Sequence, residues 1–566
     1  MTEQVIMMFF TVLGIVVIFA WIIIRDKRRH NRWVLNTLQK MWGSVATREY
    51  TSEELTSIYS YTKKHGGNRF MVDDITWNDL NMEQIFILLN TTVSSCGEDV
   101  LYKMLRVPEF QQEVLDERNR VVEYFRTHKK ERIQIQKILR EVQKMSKISI
   151  YDYIDVLKDV EQKGSGKYLI MAGLTLLAIL SLLINPVFGV FFLLVVMSVN
   201  GSIRIKNTKK MEPYLNCMIC ILRMLKAADK FSKIKNPDIQ SYLKVIENGR
   251  KKLKNFRRGA YLVSATTSLQ DGIETIFISY LKLFFHVDFI KFYSMLKQVT
   301  GHEKEIDELF TTMGELDAMI AIASFREFLP YYCEPVLDKK NENTHISMEV
   351  KDMYHPMIDN PVANSISFDG GVLITGSNAS GKSTLLKNIA INGILAQTLY
   401  TCTAHFYCAP FLKVMTSMAL RDNLEGGESY YIVEIRSLQR ILNEAKQKEP
   451  LLCIVDEVLR GTNTIERIAA SSRILQSLLA PYVLPLAATH DIELSYILEK
   501  GYRNYHFEEE IREKDICFNY LLKEGRAVSR NAIKLLEIIG YDKKIIEDAM
   551  KAAKDFEQTG EWQKLC

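Results

Sequence analysis

The most informative segment of the sequence is Gly376-Ser377-Asn378-Ala379-Ser380-Gly381-Lys382-Ser383, which has the pattern G-x-x-x-x-G-K-S. The five residues before it, 371–375, are mostly apolar and β-branched, as expected for a buried strand. After it, residues 384–399 carry apolar side chains at helical spacing. A strand, a glycine-rich turn and a helix in this order predict a loop that binds the phosphates of a nucleoside triphosphate. The alternative is a Gly/Ser turn with a lysine by chance, and the flanking elements argue against it.

This pattern assigns roles within the loop. The expected nucleotide contacts are Gly376, Ser377, Asn378, Ala379, Ser380, Gly381, Lys382, Ser383 and Thr384. Lys382 would neutralise phosphate charge, and Ser383 would bind Mg²⁺. The sequence therefore predicts ATP and Mg²⁺ as ligands.

Two further apolar segments end in polar residues. Residues 451–455 precede Asp456 and Glu457, and two carboxylates at the end of a buried strand are costly unless they have a function. Asp456 would hold Mg²⁺, and Glu457 would polarise the attacking water. Residues 483–488 precede His490, which could sense the γ-phosphate, although a single histidine is more often structural.

A second glycine-rich turn lies at 422–429 (D-N-L-E-G-G-E-S), before a predicted helix that begins near Tyr430. A helix N-terminus of this kind can bind an anion. Because the chain already has one phosphate loop, we expect Ser429 to reach the ATP of a second copy. The active unit would then be a homodimer with two shared sites, although such turns are also common without this function.

These motifs together resemble the MutS family of DNA mismatch-repair ATPases. The similarity lies in 375–378 with 381–384, in Asn423-Leu424 with Gly427 and Ser429, in Asp456-Glu457 with 460–464 (R-G-T-N-T), and in 488–490. Asn378 and the R-G-T-x-T run are its discriminating parts. Fainter similarity extends over residues 80–560.

The resemblance implies an all-α core and lever domain followed by a C-terminal α/β P-loop ATPase of the ABC/MutS type. It implies that Lys382, Ser383 and Asp456 hold Mg-ATP, that Glu457 activates water, that His490 senses the γ-phosphate, that Ser429 reaches the partner's nucleotide, and that His355 lies near the adenine. Two positions depart from the family pattern. Ser377 stands where the family usually has Pro, and Glu428 places an acid beside Ser429. Residues 33–79 leave no room for the family's mismatch-reading and connector domains, so we expect a membrane-anchored variant that lacks them.

Three apolar segments predict membrane spans. Residues 5–24 carry no charge and are followed by a basic segment, 25–32, which places the following chain in the cytoplasm. Their length and flanks fit a cleaved signal peptide poorly. Residues 168–203 also carry no charge and are broken at Asn185-Pro186, which predicts two spans in a helical hairpin, with a buried core hairpin as the alternative. Residues 275–293 contain four ionisable side chains, which favours a core helix.

The charge is uneven along the chain. The formal net charge is +5, but residues 201–260 hold 16 Lys/Arg against 4 Asp/Glu. Such a block is often a solvated helix face, and at this density it suggests an anionic partner, either lipid headgroups or nucleic acid. Nine cysteines are too few for a disulfide framework and indicate a reducing compartment. Cys217 and Cys220 form a CxxC pair that we expect to be buried thiols and not a zinc site.

The predicted architecture is multi-domain, with three transmembrane helices, an all-α core and lever region, and a C-terminal α/β ATPase. The predicted segments are 1–32 (membrane anchor), 33–167 (helical region, first part), 168–203 (membrane hairpin), 204–332 (helical region, second part) and 333–566 (ATPase with dimerisation helices). The predicted location is the plasma membrane, multi-pass, with the ATPase in the cytoplasm.

Two functions fit this reading. The first is a membrane-anchored dimeric ATPase that acts on DNA and whose ATP-driven closure moves its helical levers. The second is an ATP-driven switch that acts on membrane or protein partners, with the basic block on anionic lipid. Half of a transporter is disfavoured, because three spans are few and carry no charge that could mark a substrate path.

Overall fold

The computed structural model describes residues 2–46, 48–144, 149–152, 165–257, 273–338, 345–377, 380–418, 430–460, 462–512, 515–527, 533, 536 and 539–562. Residue contacts divide the chain into two compact units. The first unit comprises Met1–Asn68, Leu89–Met104 and Asn119–Phe328, and the second comprises Arg69–Leu88, Leu105–Arg118 and Leu329–Cys566.

The first unit is helical. Among the described residues up to Phe328, the α-helices are α1 (Thr2–Met41), α2 (Ser52–Gly66), α3 (Asp74–Asp79), α4 (Met82–Leu89), α5 (Ser95–Arg106), α6 (Gln112–Thr127), α7 (Lys129–Leu139), α8 (Ser165–Ile184), α9 (Pro186–Phe231), α10 (Gln240–Lys252), α11 (Ile273–Phe285), α12 (Val287–Val299) and α13 (Glu303–Phe328). Of these, α3 and all of α4 except Leu89 lie in the second unit, together with the end of α5 from Leu105 and the start of α6 up to Arg118. Local sequence sets several helix starts. For example, Thr51 and Glu54 form a reciprocal capping box at the start of α2.

The core of the first unit forms around α13, whose side chains are almost all buried from Leu316 to Arg326. Asp317 on this helix accepts hydrogen bonds from the backbone N–H groups of Val93 and Ser94, at 3.0 and 2.9 Å. Gly97 allows this approach, because a Cβ there would lie 2.3 Å from the Asp317 carboxylate. Helix α13 is thereby fixed to the start of α5.

Two segments among the described residues are long and apolar enough to cross a membrane, Gly166–Ile184 and Pro186–Thr208. The predicted break between them is confirmed, since Asn185 caps α9 by accepting the N–H of Phe188 and Pro186 is the first helical residue. The predicted span 5–24 lies within α1 and is not among the candidates; part of its side chains fall outside the described residues.

The apolar segment 275–293 is not the single core helix that the sequence predicts. It is divided into α11 and α12 at His286, which has a left-handed backbone conformation (φ +51°). Because the i to i−4 hydrogen-bond pattern cannot continue through such a residue, the helix ends there.

The second unit contains two sheets. Its strands are β1 (Val336–Asp338), β2 (Met348–Met353), β3 (Asn364–Phe368), β4 (Gly371–Thr375), β5 (Phe406–Pro410), β6 (Lys413–Ser417), β7 (Leu451–Asp456), β8 (Val483–Thr489), β9 (Tyr502–Arg512) and β10 (Asp515–Glu524). Its remaining helices are α14 (Lys382–Thr398), α15 (Tyr430–Ala445), α16 (Thr464–Ser477), α17 (Ile492–Ile497) and α18 (Lys543–Thr559). The strand orders are β1-β5-β2-β3 and β10-β9-β4-β8-β7-β6.

The six-stranded sheet is parallel except for β10. Strands β4, β7 and β8 are buried along their full length, as expected for central strands covered on both faces. The predicted strands 371–375, 451–455 and 483–488 are therefore confirmed, and Pro485 lies within β8.

The predicted division at residues 332/333 lies close to the observed break after Phe328. The predicted helical region 33–167, however, is divided between the units. Segment 69–88 belongs to the second unit because α3 docks on β6. Asp79 accepts hydrogen bonds from the Thr416 hydroxyl (2.7 Å) and the Met418 N–H (3.0 Å).

Candidate functional site

The site lies where three central strands of the second unit end. In the parallel pairs β4–β8 and β7–β8, Thr375 is opposite Thr489 and Asp456 is opposite Ala488. The segments that follow these strands therefore meet at one edge of the sheet, where ligands of open α/β sheets bind. The fold thus brings together the phosphate loop, Glu457 and His490, as the sequence predicted.

The phosphate loop depends on two glycines with positive φ, Gly376 (+148°) and Gly381 (+107°). Helix α14 begins directly after the second glycine, at Lys382. The Lys382 ammonium group reaches back and donates hydrogen bonds to the carbonyls of Gly376 (2.8 Å) and Ser377 (2.6 Å). It is thus already held over the loop. Asn378 and Ala379 lie outside the described residues.

The predicted magnesium ligands are in contact. The Ser383 hydroxyl donates to Asp456 Oδ2 at 2.5 Å. Asp456 Oδ1 and Ser380 Oγ are buried and make no hydrogen bond within the part of the chain that the structure describes. Buried oxygens without partners are costly, and a hydroxyl with a carboxylate is a donor set that Mg²⁺ prefers. The residues present therefore fit a Mg²⁺ ion.

Glu457 lies between His490 and Arg460. His490 Nε2 lies 2.7 Å from Glu457 Oε1, and the Arg460 guanidinium contacts the other carboxylate oxygen. Burial alone would raise the pKa of Glu457, but His490, Arg460 and the nearby Lys382 outweigh burial and lower the pKa. The carboxylate is therefore ionised at neutral pH.

The loop that carries Glu457 is strained. Glu457 and Leu459 both have positive φ, +52° and +60°, which is unfavourable for residues other than glycine. The Glu457 N–H donates to the Ala488 carbonyl at 2.9 Å, and the Leu459 N–H donates to the buried Glu434 carboxylate on α15. These two contacts hold the loop in place. Neither Glu434 nor Arg460 is among the site residues that the sequence predicts.

A cavity of about 540 Å³ opens beside the phosphate loop. Its lining combines the polar and charged residues 380–384, Glu457 and Arg460 with a less polar set, His355, Ile358, Pro361, Val362, Phe507 and Tyr520. Such a lining matches a nucleotide, with its phosphates at the loop and its base against the less polar residues. His355 lines this cavity. Burial, followed by the charge of Lys387, lowers the pKa of His355 to about 4, so its ring is neutral.

Tyr520 reaches the cavity through a bulge in β10. The pairing of β10 with β9 shifts between Phe518 and Leu522, and Tyr520 has a φ of +54°. Asn364 on β3 secures the bulge, because its side chain donates to the Tyr520 carbonyl (2.9 Å) and accepts the Leu522 N–H (2.8 Å). The sequence contains no local signal for this arrangement.

Ser429 is the residue predicted to reach the ATP of a second copy. It lies with the rest of its glycine-rich turn in 419–429, outside the described residues, and α15 begins directly afterwards at Tyr430. Its contact with the ATP of a second copy stays a prediction. Part of the region predicted to hold the C-terminal dimerisation helices, residues 528–532, 534–535 and 537–538, also lies outside the described residues.

Comparison with known proteins gives the same family as the motifs. The model of the MutS domain V family matches residues 372–557. The chain is 28% identical to human MutS protein homolog 4 over 287 residues, which are 48% of this chain and 30% of that protein. It is 29% identical to the DNA mismatch repair protein MutS of Thermotoga maritima over 269 residues, 46% of this chain and 33% of that protein.

A third relative, the DNA mismatch repair protein MSH3 of Meyerozyma guilliermondii, is 27% identical over 289 residues, 47% of this chain and 29% of that protein. The chain thus spans about a third of the length of the curated relatives it matches. The matched domain contains the strands, the loop and the carboxylates described above. The chain thus carries a MutS domain V over residues 372–557.

Proposed function

We propose that this chain binds Mg-ATP in the cavity beside the phosphate loop and hydrolyses it. The observation that carries the proposal is the convergence of Lys382, the Ser383–Asp456 pair and Glu457 at one edge of the sheet. When bound, ATP supplies the phosphoanhydride bond that is broken. Lys382 and the N–H groups of the loop stabilise the charge on its phosphates, and Ser383 and Asp456 hold the Mg²⁺.

Glu457 is the residue that would orient a water and accept its proton. Its lowered pKa keeps it ionised, and His490 fixes one of its oxygens. In this arrangement Arg460 occupies the other oxygen, so this contact must loosen before a water can take its place. His490 would then contact both the Glu457 carboxylate and the γ-phosphate of bound ATP.

We also propose that the active unit is a homodimer with two shared sites, each completed by Ser429 of the partner subunit. A mixing experiment tests this. Lys382→Ala and Ser429→Ala proteins are assayed for ATP turnover separately and after mixing under conditions that exchange subunits. Two inactive variants that regain turnover on mixing support shared sites, because one mixed site has both intact residues. No recovery, despite demonstrated exchange, contradicts them.

The proposed ATPase could act on DNA or on another partner. The names of the relatives favour DNA, since two of those proteins are named for DNA mismatch repair. The basic block 201–260 offers phosphate contacts, and Lys233, Lys235, Lys244 and Lys254 are exposed. Part of the block is neutralised within the first unit. Lys226 and Lys230 pair with Glu141, Arg250 pairs with Asp229 and Glu247, and Lys252 pairs with Glu305.

A membrane or protein is the second candidate partner on which the proposed ATPase acts. It is favoured by the two candidate spans, because the most apolar stretches of these spans are only 22% and 17% buried. Their exposed apolar side chains include Ile170, Leu177, Leu183, Phe191 and Leu194. Exposed apolar surface on this scale is typical of lipid contact and unlike a soluble core helix. We propose a multi-pass plasma-membrane protein with a cytoplasmic ATPase, whose basic block lies near anionic lipid.

One assay distinguishes action on DNA from action on a membrane or protein partner. ATP turnover of the full-length protein in detergent is measured alone, with duplex DNA, with mismatched DNA and with anionic liposomes, each at low and high salt. Stimulation by DNA that is lost at high salt supports action on DNA, and a larger effect of mismatched DNA supports lesion recognition. Stimulation by liposomes alone supports the second candidate and contradicts the first.

A further inference from the structure

Two polar side chains lie inside the apolar hairpin formed by α8 and α9. Thr175 and Asn200 are both almost completely buried. The Asn200 amide donates to the Thr175 hydroxyl (2.9 Å) and to the carbonyl of Phe284 (3.2 Å). The Thr175 hydroxyl shares its proton between that carbonyl and the carbonyl of Met171, each at 3.0 Å. Both side chains therefore converge on the backbone at the end of α11.

This contact lies deep within the candidate spans. Thr175 is at the midpoint of Gly166–Ile184, nine residues from either end, which is about 14 Å at 1.5 Å per residue. Asn200 is eight residues from the Thr208 end of the second span, or about 12 Å. If α8 and α9 cross a bilayer, the Phe284 carbonyl lies well inside its hydrocarbon region, which is about 30 Å thick.

The chain turns back at this point. His286 is fully buried with a φ of +51°, and α12 begins at Val287. The ring of Phe289 on α12 lies 4.9 Å from that of Tyr168, near the beginning of α8, so α12 returns toward the end of the spans. Helices α11 and α12 thus form a corner that enters the hairpin and leaves on the same side.

Two charged residues of this corner, Lys282 and Asp288, face protein. Arg204, four residues before the end of the second span, pairs with Asp288 at 2.8 Å and donates to the Lys282 carbonyl at 2.5 Å. Lys282 and Asp288 are buried. Ionisable groups at membrane depth are tolerated where they face other helices and pair with charges or backbone carbonyls. These residues, which argued against a membrane location in the sequence, are therefore compatible with one.

We propose that the α11–α12 corner is a re-entrant segment that inserts into the membrane together with the hairpin. This inference rests on the proposed membrane anchoring. A carbonyl freed at a helix end needs donors in hydrocarbon, and Thr175 and Asn200 provide them. The occupant of the outer face of α11 is then phospholipid acyl chains, because exposed Tyr280 and Leu283 continue the exposed apolar surface of α8 and α9.

Photocrosslinking to lipid tests the inference in the full-length protein. The photoreactive amino acid p-benzoylphenylalanine replaces Tyr280 in one variant, Leu177 of α8 in a second, and Tyr496 of the second unit in a third. The three side chains are similarly exposed, at 54%, 58% and 61%, so differences in labelling report the environment. Each variant is reconstituted into phosphatidylcholine–phosphatidylglycerol vesicles and irradiated, and acyl-chain adducts are measured by mass spectrometry.

The expected result is acyl-chain adducts at positions 177 and 280 and none at 496. Adducts at 177 without adducts at 280 overturn the re-entrant corner and leave the membrane anchoring intact. The absence of adducts at both positions overturns the anchoring and the corner together. Adducts at 496 as abundant as those at 280 also overturn the corner, because labelling at 280 would then not report insertion.

Discussion

Glu457 and Leu459 adopt left-handed backbone conformations at the site, and such residues cost on the order of 1–3 kcal/mol each. The structure holds them through groups outside the loop. Glu434 is the most informative of these, because it is buried and accepts the Leu459 N–H. Burial raises the pKa of Glu434, while the N–H groups of Leu459 and Arg460 oppose that rise. We therefore infer that the buried Glu434 carboxylate positions the loop that carries Glu457.

Replacing Glu434 with Ala should therefore lower kcat for ATP by about tenfold to a hundredfold, because the loop is no longer fixed. Glu434→Gln keeps an acceptor for the Leu459 N–H and should restore most of the turnover. ATP affinity should stay within about twofold of the wild type in both variants. The matched control is Glu444→Ala on the same helix, whose partner Lys413 also pairs with Glu449. An equal loss in the Ala and Gln variants would contradict a positioning role.

His355 provides a pH test at the base end of the cavity. Its pKa of about 4 means that the ring gains charge only as the pH falls through this value, well below neutrality. The ratio of ATP affinities of the wild type and His355→Asn, measured by equilibrium binding, should therefore be the same at pH 6 and pH 8. A ratio that changes several-fold between these values would show that the ring titrates near neutrality.

At the scale of elements, we expect the β10 bulge to contribute to nucleotide binding and not to catalysis. Asn364→Ala removes both hydrogen bonds that place Tyr520 beside the phosphate loop. We expect ATP affinity to fall by about fivefold to tenfold, as for the loss of about 1–1.4 kcal/mol, with kcat little changed. Ser365→Ala is the control, since Ser365 lies next to Asn364 but bonds to Asp352. An unchanged ATP affinity of Asn364→Ala would show that the bulge does not contribute to nucleotide binding.

Elements with strong local signals were predictable from the sequence, and those fixed by distant contacts were not. The strands before Gly376 and Asp456 are continuous apolar runs, and Asn185-Pro186 marks a helix boundary by itself. The helix break at His286 has no such signal, because its apolar surroundings continue through it. The break is stabilised by Thr175 and Asn200, which are far away in sequence. Glu434 and Tyr520 were missed for the same reason.

At the scale of the whole molecule, the α8–α9 hairpin should keep the protein in the membrane. Wild-type protein should remain in the membrane pellet after alkaline carbonate extraction. A Leu177→Lys, Leu194→Lys double variant should be extracted, because each lysine near the bilayer centre costs about 2.5–3.5 kcal/mol of insertion free energy. The matched double alanine variant should behave like the wild type. Complete extraction of the wild type would contradict membrane anchoring.

The family and the site could be predicted from the sequence because the phosphate loop and the carboxylates occur as contiguous motifs. The division into two units could be predicted only in part. Segment 69–88 joins the second unit through Asp79 and Thr416, a pair that no local pattern connects. The partner on which the proposed ATPase acts depends on surfaces and not on motifs, so the sequence left DNA and membrane partners as alternatives.

The central claim is that the cavity beside the phosphate loop hydrolyses ATP with Glu457 as the base. The most direct test compares ATP binding and Mg²⁺-dependent turnover of the full-length wild type and Glu457→Gln. We predict that the variant binds ATP about as tightly as the wild type but turns it over at least about a hundredfold more slowly. Turnover of the variant at the wild-type rate would contradict this account of the site.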